Sequence, residues 1–149
     1  MIPLVILGGL AVLLISWKSS SASSSSSQSG PAVRLPNGNV YNVELMATPE
    51  ERRKGMQFRN RFPAHTVMVF AQPQPSFLPI HMMNVRMAID AVWLNSAGRI
   101  VQIRTLFPEL GVYASGSSPA QFLIEAPKGW AEFNGLEVGD QIQFGNLPW

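Results

Sequence analysis

The chain of 149 residues contains no cysteine. That absence excludes a disulfide framework, a thiol nucleophile, a thiolate zinc site and a lipid-modified N-terminal cysteine. It does not exclude an oxidising compartment, because a domain of this size can fold without cross-links. Charge is scarce too: Asp, Glu, Lys and Arg make up 13% of the residues and leave a formal net charge of +2, so nucleic acid is not an expected partner. Also missing are an H-E-x-x-H pair, a phosphate-binding glycine loop, a dinucleotide fingerprint and a G-x-S-x-G elbow, and with none of these no cofactor is expected. No internal repeat occurs, which argues against solenoids and propellers.

What is present begins with an apolar run. Residues Ile2 to Trp17 carry no charged side chain and are followed by Lys18 and a serine-rich stretch ending at Gly30. A helix over 2–17, rising about 1.5 Å per residue, reaches roughly 24 Å against a hydrocarbon core of about 30 Å. One reading is an uncleaved anchor with Trp17 and Lys18 at the interface. Another is a signal peptide cut after Ala22, where Ser20 and Ala22 give a small-x-small pattern, although the stretch lacks the usual basic n-region. A third is a buried core helix, to which a polar, uncharged tether would add nothing. The serine stretch cannot bury enough apolar surface to fold and reads as a disordered spacer. The expected organisation is therefore a membrane anchor or signal over 1–18, a linker over 19–30 and one domain over 31–149.

Within the domain, Asn37-Gly38 between two alternating runs signals a β-hairpin, because a tight turn demands positive φ. Thr48-Pro49-Glu50-Glu51 combines a cap, a proline at the first helical position and a glutamate three residues after the threonine, and Gly55 is placed to stop that helix. Short apolar runs follow at Thr66 to Ala71, Ile80 to Met83, Ile89 to Asn95, Arg99 to Leu106, Ala120 to Ala126 and Asp140 to Phe144. Ser96-Ala97-Gly98 predicts another hairpin turn, and Lys128 to Asn134, closed by Gly135, predicts a second short helix. The expected fold is mainly β: an antiparallel sandwich or jelly-roll-like small barrel with one or two short helices, preceded by the N-terminal apolar helix and the Ser-rich linker.

Thr48-Pro49-Glu50-Glu51-Arg52 leading into Gly55-Met56-Gln57-Phe58-Arg59, Met68-Val69-Phe70, Asn84, Asp90, Gly98 to Val101, Pro108, Ser118-Pro119-Ala120, Leu123-Ile124-Glu125, Gly129 and Gly135 through Asp140 occur in an order that resembles the domain of unknown function 192 family over about residues 43 to 144. The resemblance implies a compact all-β fold in a bacterial or archaeal family often exported or membrane-anchored, and it implies no reaction. The family usually carries an aromatic-Trp-Met-Lys-Asn-Thr stretch where this chain has Ile80-His81-Met82-Met83-Asn84-Val85. A chemical role for that lysine would therefore be lost here.

Read as an extended chain, residues 81–90 place Asn84, Arg86 and Asp90 on one face, an amide, a guanidinium and a carboxylate suited to a polar ligand. The bland alternative makes Asp90 a buried acid held by a cation or by backbone amides. Asp90, with His81, is also the candidate acid or base. His81, Met83 and Met87 offer soft ligands for Cu(I), against the common use of methionine as core filler. Arg52, Arg53, Lys54, Arg59 and Arg61 form a basic cluster that suits anionic headgroups or simply complements a helix C-terminus. Ser115, Ser117 and Ser118 lie in a loop, Gly111 to Pro119, that is a ligand rim or a plain connection.

The first functional expectation is a membrane-tethered or exported accessory module on the extracytoplasmic side. It contacts the membrane through residues 2–17 and an envelope polymer, polar ligand or envelope protein through its loops. The alternatives are a small hydrolase-like enzyme using Asp90 and a structural subunit of an assembly, phage-encoded in one variant.

Overall fold

The computed structural model describes residues 30–108, 114–116 and 118–148. The expected anchor, almost all of the linker, and part of the 111–119 loop, including Ser117, lie outside these residues. Among the described residues no helix is long and apolar enough to cross a membrane.

The chain is mainly β with two short helices, as the sequence predicts. In order it forms β1 (Ala32–Arg34), β2 (Val40–Met46), α1 (Pro49–Lys54), β3 (Thr66–Ser76), β4 (Pro79–Ile80), β5 (Ile89–Leu94), β6 (Ile100–Leu106), β7 (Ala114–Ser115), β8 (Ala120–Pro127), α2 (Trp130–Phe133) and β9 (Gln143–Gly145). Seven strands make one sheet in the order β6-β5-β8-β3-β2-β1-β9, and β4 pairs with β7.

Local signals behave as their chemistry dictates. Gly38 takes φ +90° in the β1–β2 turn, while Asn37 Oδ1 accepts the amide of Asn39 at 2.9 Å. The Thr48 hydroxyl caps the Glu51 amide, and the Glu51 carboxylate returns to the Thr48 amide at 2.9 Å, so α1 starts with a complete capping box. Asn95 Oδ1 accepts the amides of Ala97 and Arg99, each at 3.0 Å, which shapes the β5–β6 turn.

One pairing departs from an all-antiparallel sheet: β2 and β3 run parallel. A parallel pair needs a long crossover, and the segment between Met46 and Thr66, with α1 in it, supplies one. The distal part of β3 contains Pro73 and Pro75, is exposed, and slips register against β8 between Ala71 and Ser76, where missing amide donors do least harm. The expected strand over Ile80 to Met83 shrinks to β4, because the chain turns at Met82, whose carbonyl accepts the Val85 amide at 3.1 Å.

The ladder is open, but its two end strands meet at one point. Arg99, just before β6, bridges Gln141, just before β9. The Ile142 amide reaches the Gly98 carbonyl at 2.9 Å and the Gly139 amide reaches the Ile100 carbonyl at 2.8 Å. The sheet therefore curls on itself, toward the barrel that the sequence suggests. Its concave side holds a core that includes Val33, Val67, Val69, Val92, Ile124 and Trp130. Alternate residues of the same strands point outward, and Met68, Phe70, Ala91, Trp93 and Leu123 form a second core beneath α1 and the segments that follow α1 and β4. That double burial explains why β5 is buried at every position and reads as a continuous apolar run.

Candidate functional site

Glu125 sits midway along β8, the strand third from one end of the sheet, with Met68 of β3 and Ala91 of β5 as its cross-strand neighbours. It shares the outward face with Leu123 and is only 5% exposed. A carboxyl there has lost its water, and burial pushes its pKa from 4.5 up to about 8, so at neutral pH it is protonated. Among the described residues no hydrogen-bond donor or cation reaches it.

Above Glu125 lies a cavity of about 320 Å³. Phe70, Leu78, Ile80, Val85, Leu123 and Met56 give it apolar walls, and His81 and Gln57 supply polar edges. The His81 Nδ1 atom is buried with no hydrogen-bond partner among the described residues. The last turn of α1 brings Arg52, Arg53 and Lys54 to the same cavity. Gly55 ends that helix at φ +43°, where an added Cβ would lie 3.2 Å from the Phe70 ring, and this close approach seats the basic turn over the sheet.

Beyond the paired strands that carry Phe70, Ile80 and Leu123, the walls are held by single hydrogen bonds. Trp93 Nε1 donates to the Leu78 carbonyl at 2.9 Å. The Phe58 amide donates to the Asn84 carbonyl at 2.9 Å, and Asn84 Nδ2 donates to Gln57 Oε1 at 3.2 Å. Arg52 is committed to the carbonyls of Ala47 and, at 2.9 Å, Ala71. Arg53 and Lys54 are exposed, and among the described residues neither has an ion-pair partner.

The residues singled out from the sequence are distributed differently. Because residues 81–88 turn instead of extending, Asn84, Arg86 and Asp90 do not form one row. Asn84 adopts φ +58° and braces the cavity wall through Gln57. Arg86 donates to Asn60 Oδ1 at 3.1 Å. Asp90 faces the concave side with Thr105 and Ala126, opposite to Glu125, and accepts the Thr105 hydroxyl at 2.8 Å and the Ala131 amide of α2 at 2.9 Å. Both oxygens are thus engaged, one by the neighbouring strand β6 and one in docking α2. Of the soft ligands, Met83 is 58% exposed, Met87 is half-buried and Met82 is packed in the second core, whereas His81 lines the cavity. Among the described residues no group of three His, Cys, Asp or Glu is placed to hold a metal ion. The basic cluster divides: Arg59 makes a two-point ion pair with Glu44, with Nη1 to Oε2 at 2.7 Å, and Arg61 lines a separate shallow cavity.

Glu125 carried a signal that patterning alone passes over. It is an acid in a run, Phe122 to Ala126, that is otherwise apolar on both faces, so either face would bury it.

The model of the domain of unknown function 192 family, described as an uncharacterized ACR, matches residues 32–144. A UPF0127 protein of Pyrococcus furiosus, PF1050, is 29% identical over 99 residues, which is 65% of this chain and 81% of that protein. Two crystal structures share the fold. One is a protein of unknown function from Novosphingobium aromaticivorans, with a TM-score of 0.70, 23% identity, and coverage of 76% of this chain and 82% of its own. The other is a Sinorhizobium meliloti protein provisionally named a transcription regulator, with a TM-score of 0.71, 21% identity, and coverage of 78% and 93%.

Proposed function

We propose, for a chain that belongs to the domain of unknown function 192 family, that it is a binding module of the cell envelope, exported or tethered by its N-terminal apolar segment, and that the cavity over Glu125 is its ligand site. The observation that carries this reading is the buried carboxyl. A protonated glutamate set between Met68 and Ala91 adds nothing to packing that a leucine would not, and its ionisation is suppressed at a cost to stability. Such groups concentrate where a cavity recognises something. His81 Nδ1 in the same cavity, without a partner among the described residues, supports the reading, because such a buried donor or acceptor is satisfied by a bound molecule or water.

The tether rests on residues 2–17 and the serine stretch, whose composition suits a spacer between bilayer and domain. Two measurements test the proposal. Protease added to intact spheroplasts should digest the domain while a cytoplasmic marker survives, and protection of the domain until lysis would overturn the delivery. In an NMR screen of small polar and amphipathic fragments against the full chain, shifts should gather on Gly55, Gln57, Ile80 and Leu123. Hits confined to other surfaces would remove the cavity from consideration.

A second reading, a small hydrolase-like enzyme, finds its support at this cavity and not at Asp90. Glu125 with a pKa near 8 and His81 beside the same space are groups suited to proton transfer. Turnover of any ester or amide by the chain, lost in both E125Q and H81A, would favour it.

A further inference from the structure

We propose that the cavity over Glu125 takes a small anion with an apolar body, an aliphatic carboxylate being the simplest of the class, with its charge at Arg53 and Lys54, and that negative charge on Glu125 expels it. This rests on the cavity being the ligand site. Three features of the cavity support the class.

The mouth is cationic and uncommitted. Arg52 is spent on two backbone carbonyls, but Arg53 and Lys54 are exposed and free of ion pairs among the described residues. The helix's own Glu51 does not neutralise them, since its carboxylate is occupied by the amides of Ala47 and Thr48 at the opposite end of α1. An ammonium ligand would have to pass two like charges to enter, whereas a carboxylate is drawn in and held by them.

The walls carry hydrocarbon and rings, so an ion without an apolar part would leave most of the cavity unsatisfied. A volume of about 320 Å³ suits a compact molecule.

The floor is neutral until Glu125 ionises. Strand β3 presents Met68 to it and β5 presents Ala91, both without charge. The titratable and charged groups that line the same cavity are Arg52, Arg53 and Lys54 from α1 and His81 after β4. No second carboxylate lines it among the described residues. In the neutral form Glu125 donates or accepts a hydrogen bond without opposing an anion. Once ionised it puts a buried negative charge beneath the ligand's carboxylate at the mouth, and the two repel across a space poor in water. Burial keeps the neutral form in place up to a pH of about 8.

The test uses the full chain in zwitterionic nanodiscs with three probes of equal length: hexanoate, hexylammonium and 1-hexanol. Hexanoate should shift the amides of Gly55, Gln57, Ile80 and Leu123 saturably at pH 7 and bind more tightly than either other probe. With Glu125 titrating at about 8, its Kd should rise about tenfold between pH 7 and pH 9, and E125Q should flatten that rise. The exposed double change R53Q/K54Q should weaken hexanoate about fivefold. Tighter binding of hexylammonium or hexanol at the same amides would overturn the anion assignment and leave the ligand site standing, whereas no response to any of the three would overturn both. A hexanoate Kd that stays level from pH 7 to pH 9 in the native chain would overturn the role of Glu125.

Discussion

Replacing Glu125 by glutamine should make the protein more stable at neutral pH, and the gain should depend on pH in a way that its chemistry dictates. The unfolded carboxyl titrates near 4.5 and the folded one at about 8. Below pH 4.5 both states hold the proton and the two side chains are nearly isosteric, so the variant and the native chain should be equally stable. Between pH 4.5 and 8 the unfolded native chain has released its proton while the folded one retains it. Unfolding then releases a proton, and native stability falls by about 1.4 kcal/mol per pH unit. Glutamine has no such loss. The variant should therefore lead by about 3 kcal/mol at pH 7 and level off on the order of 4 to 5 kcal/mol above pH 8. For a domain of this size the difference at pH 7 corresponds to roughly 10–15 °C in Tm. The assay is urea unfolding of both full chains at pH 4, 5, 7 and 9, followed by tryptophan emission, with Trp93 reporting from beside the cavity. Only the difference between the two chains is read, so other titrations cancel. A pH-independent difference, or a variant less stable than the native chain at pH 7, would refute the claim that Glu125 is buried in its neutral form.

Two further perturbations follow from the geometry. D90A strands the Thr105 hydroxyl and the Ala131 amide and should lose about 2–4 kcal/mol, whereas in D90N the amide can accept from Ala131 and donate to Thr105, so the loss should be about 1 kcal/mol; urea midpoints with unchanged slopes would show both. In G98A the new Cβ would fall 2.9 Å from the Ile142 carbonyl at a backbone with φ +78°. It should lose about 2–3 kcal/mol, with hydrogen exchange accelerating first at residues 141–145.

Several elements are legible from the chain because each rests on a local rule. The capping box at Thr48 and Glu51, the positive φ at Gly38 and Gly98, and the helix stopped before Gly135 involve residues only a few positions apart. The parallel β2–β3 pair is not legible in that way, because its register is chosen by distant partners on the other side of a crossover. Asp90 stands out as a buried acid in the sequence, and the structure satisfies it through α2, an element forty residues downstream whose amide no pattern assigns to it. The segment from His81 to Met87 looks extended by alternation, yet the turn at Met82 and the positive φ of Asn84 break the alternation and send Met83 outward. Glu125 is the plainest loss: one acid in an apolar run tells little until the sheet shows that both faces of β8 are covered.

The meeting of β1 and β9 also bears on how the chain could be rewired. Ala32 pairs with Gly145 and Asn146 reaches the Gly30 carbonyl, so the ends of the domain emerge side by side. Which strand comes first along the polymer is therefore largely a matter of where the circle is cut: a short linker across this seam would allow new termini elsewhere, in an exposed turn such as Ser96-Ala97. The fold would then retain its curled sheet and its cavity while any tether left the molecule from a different side.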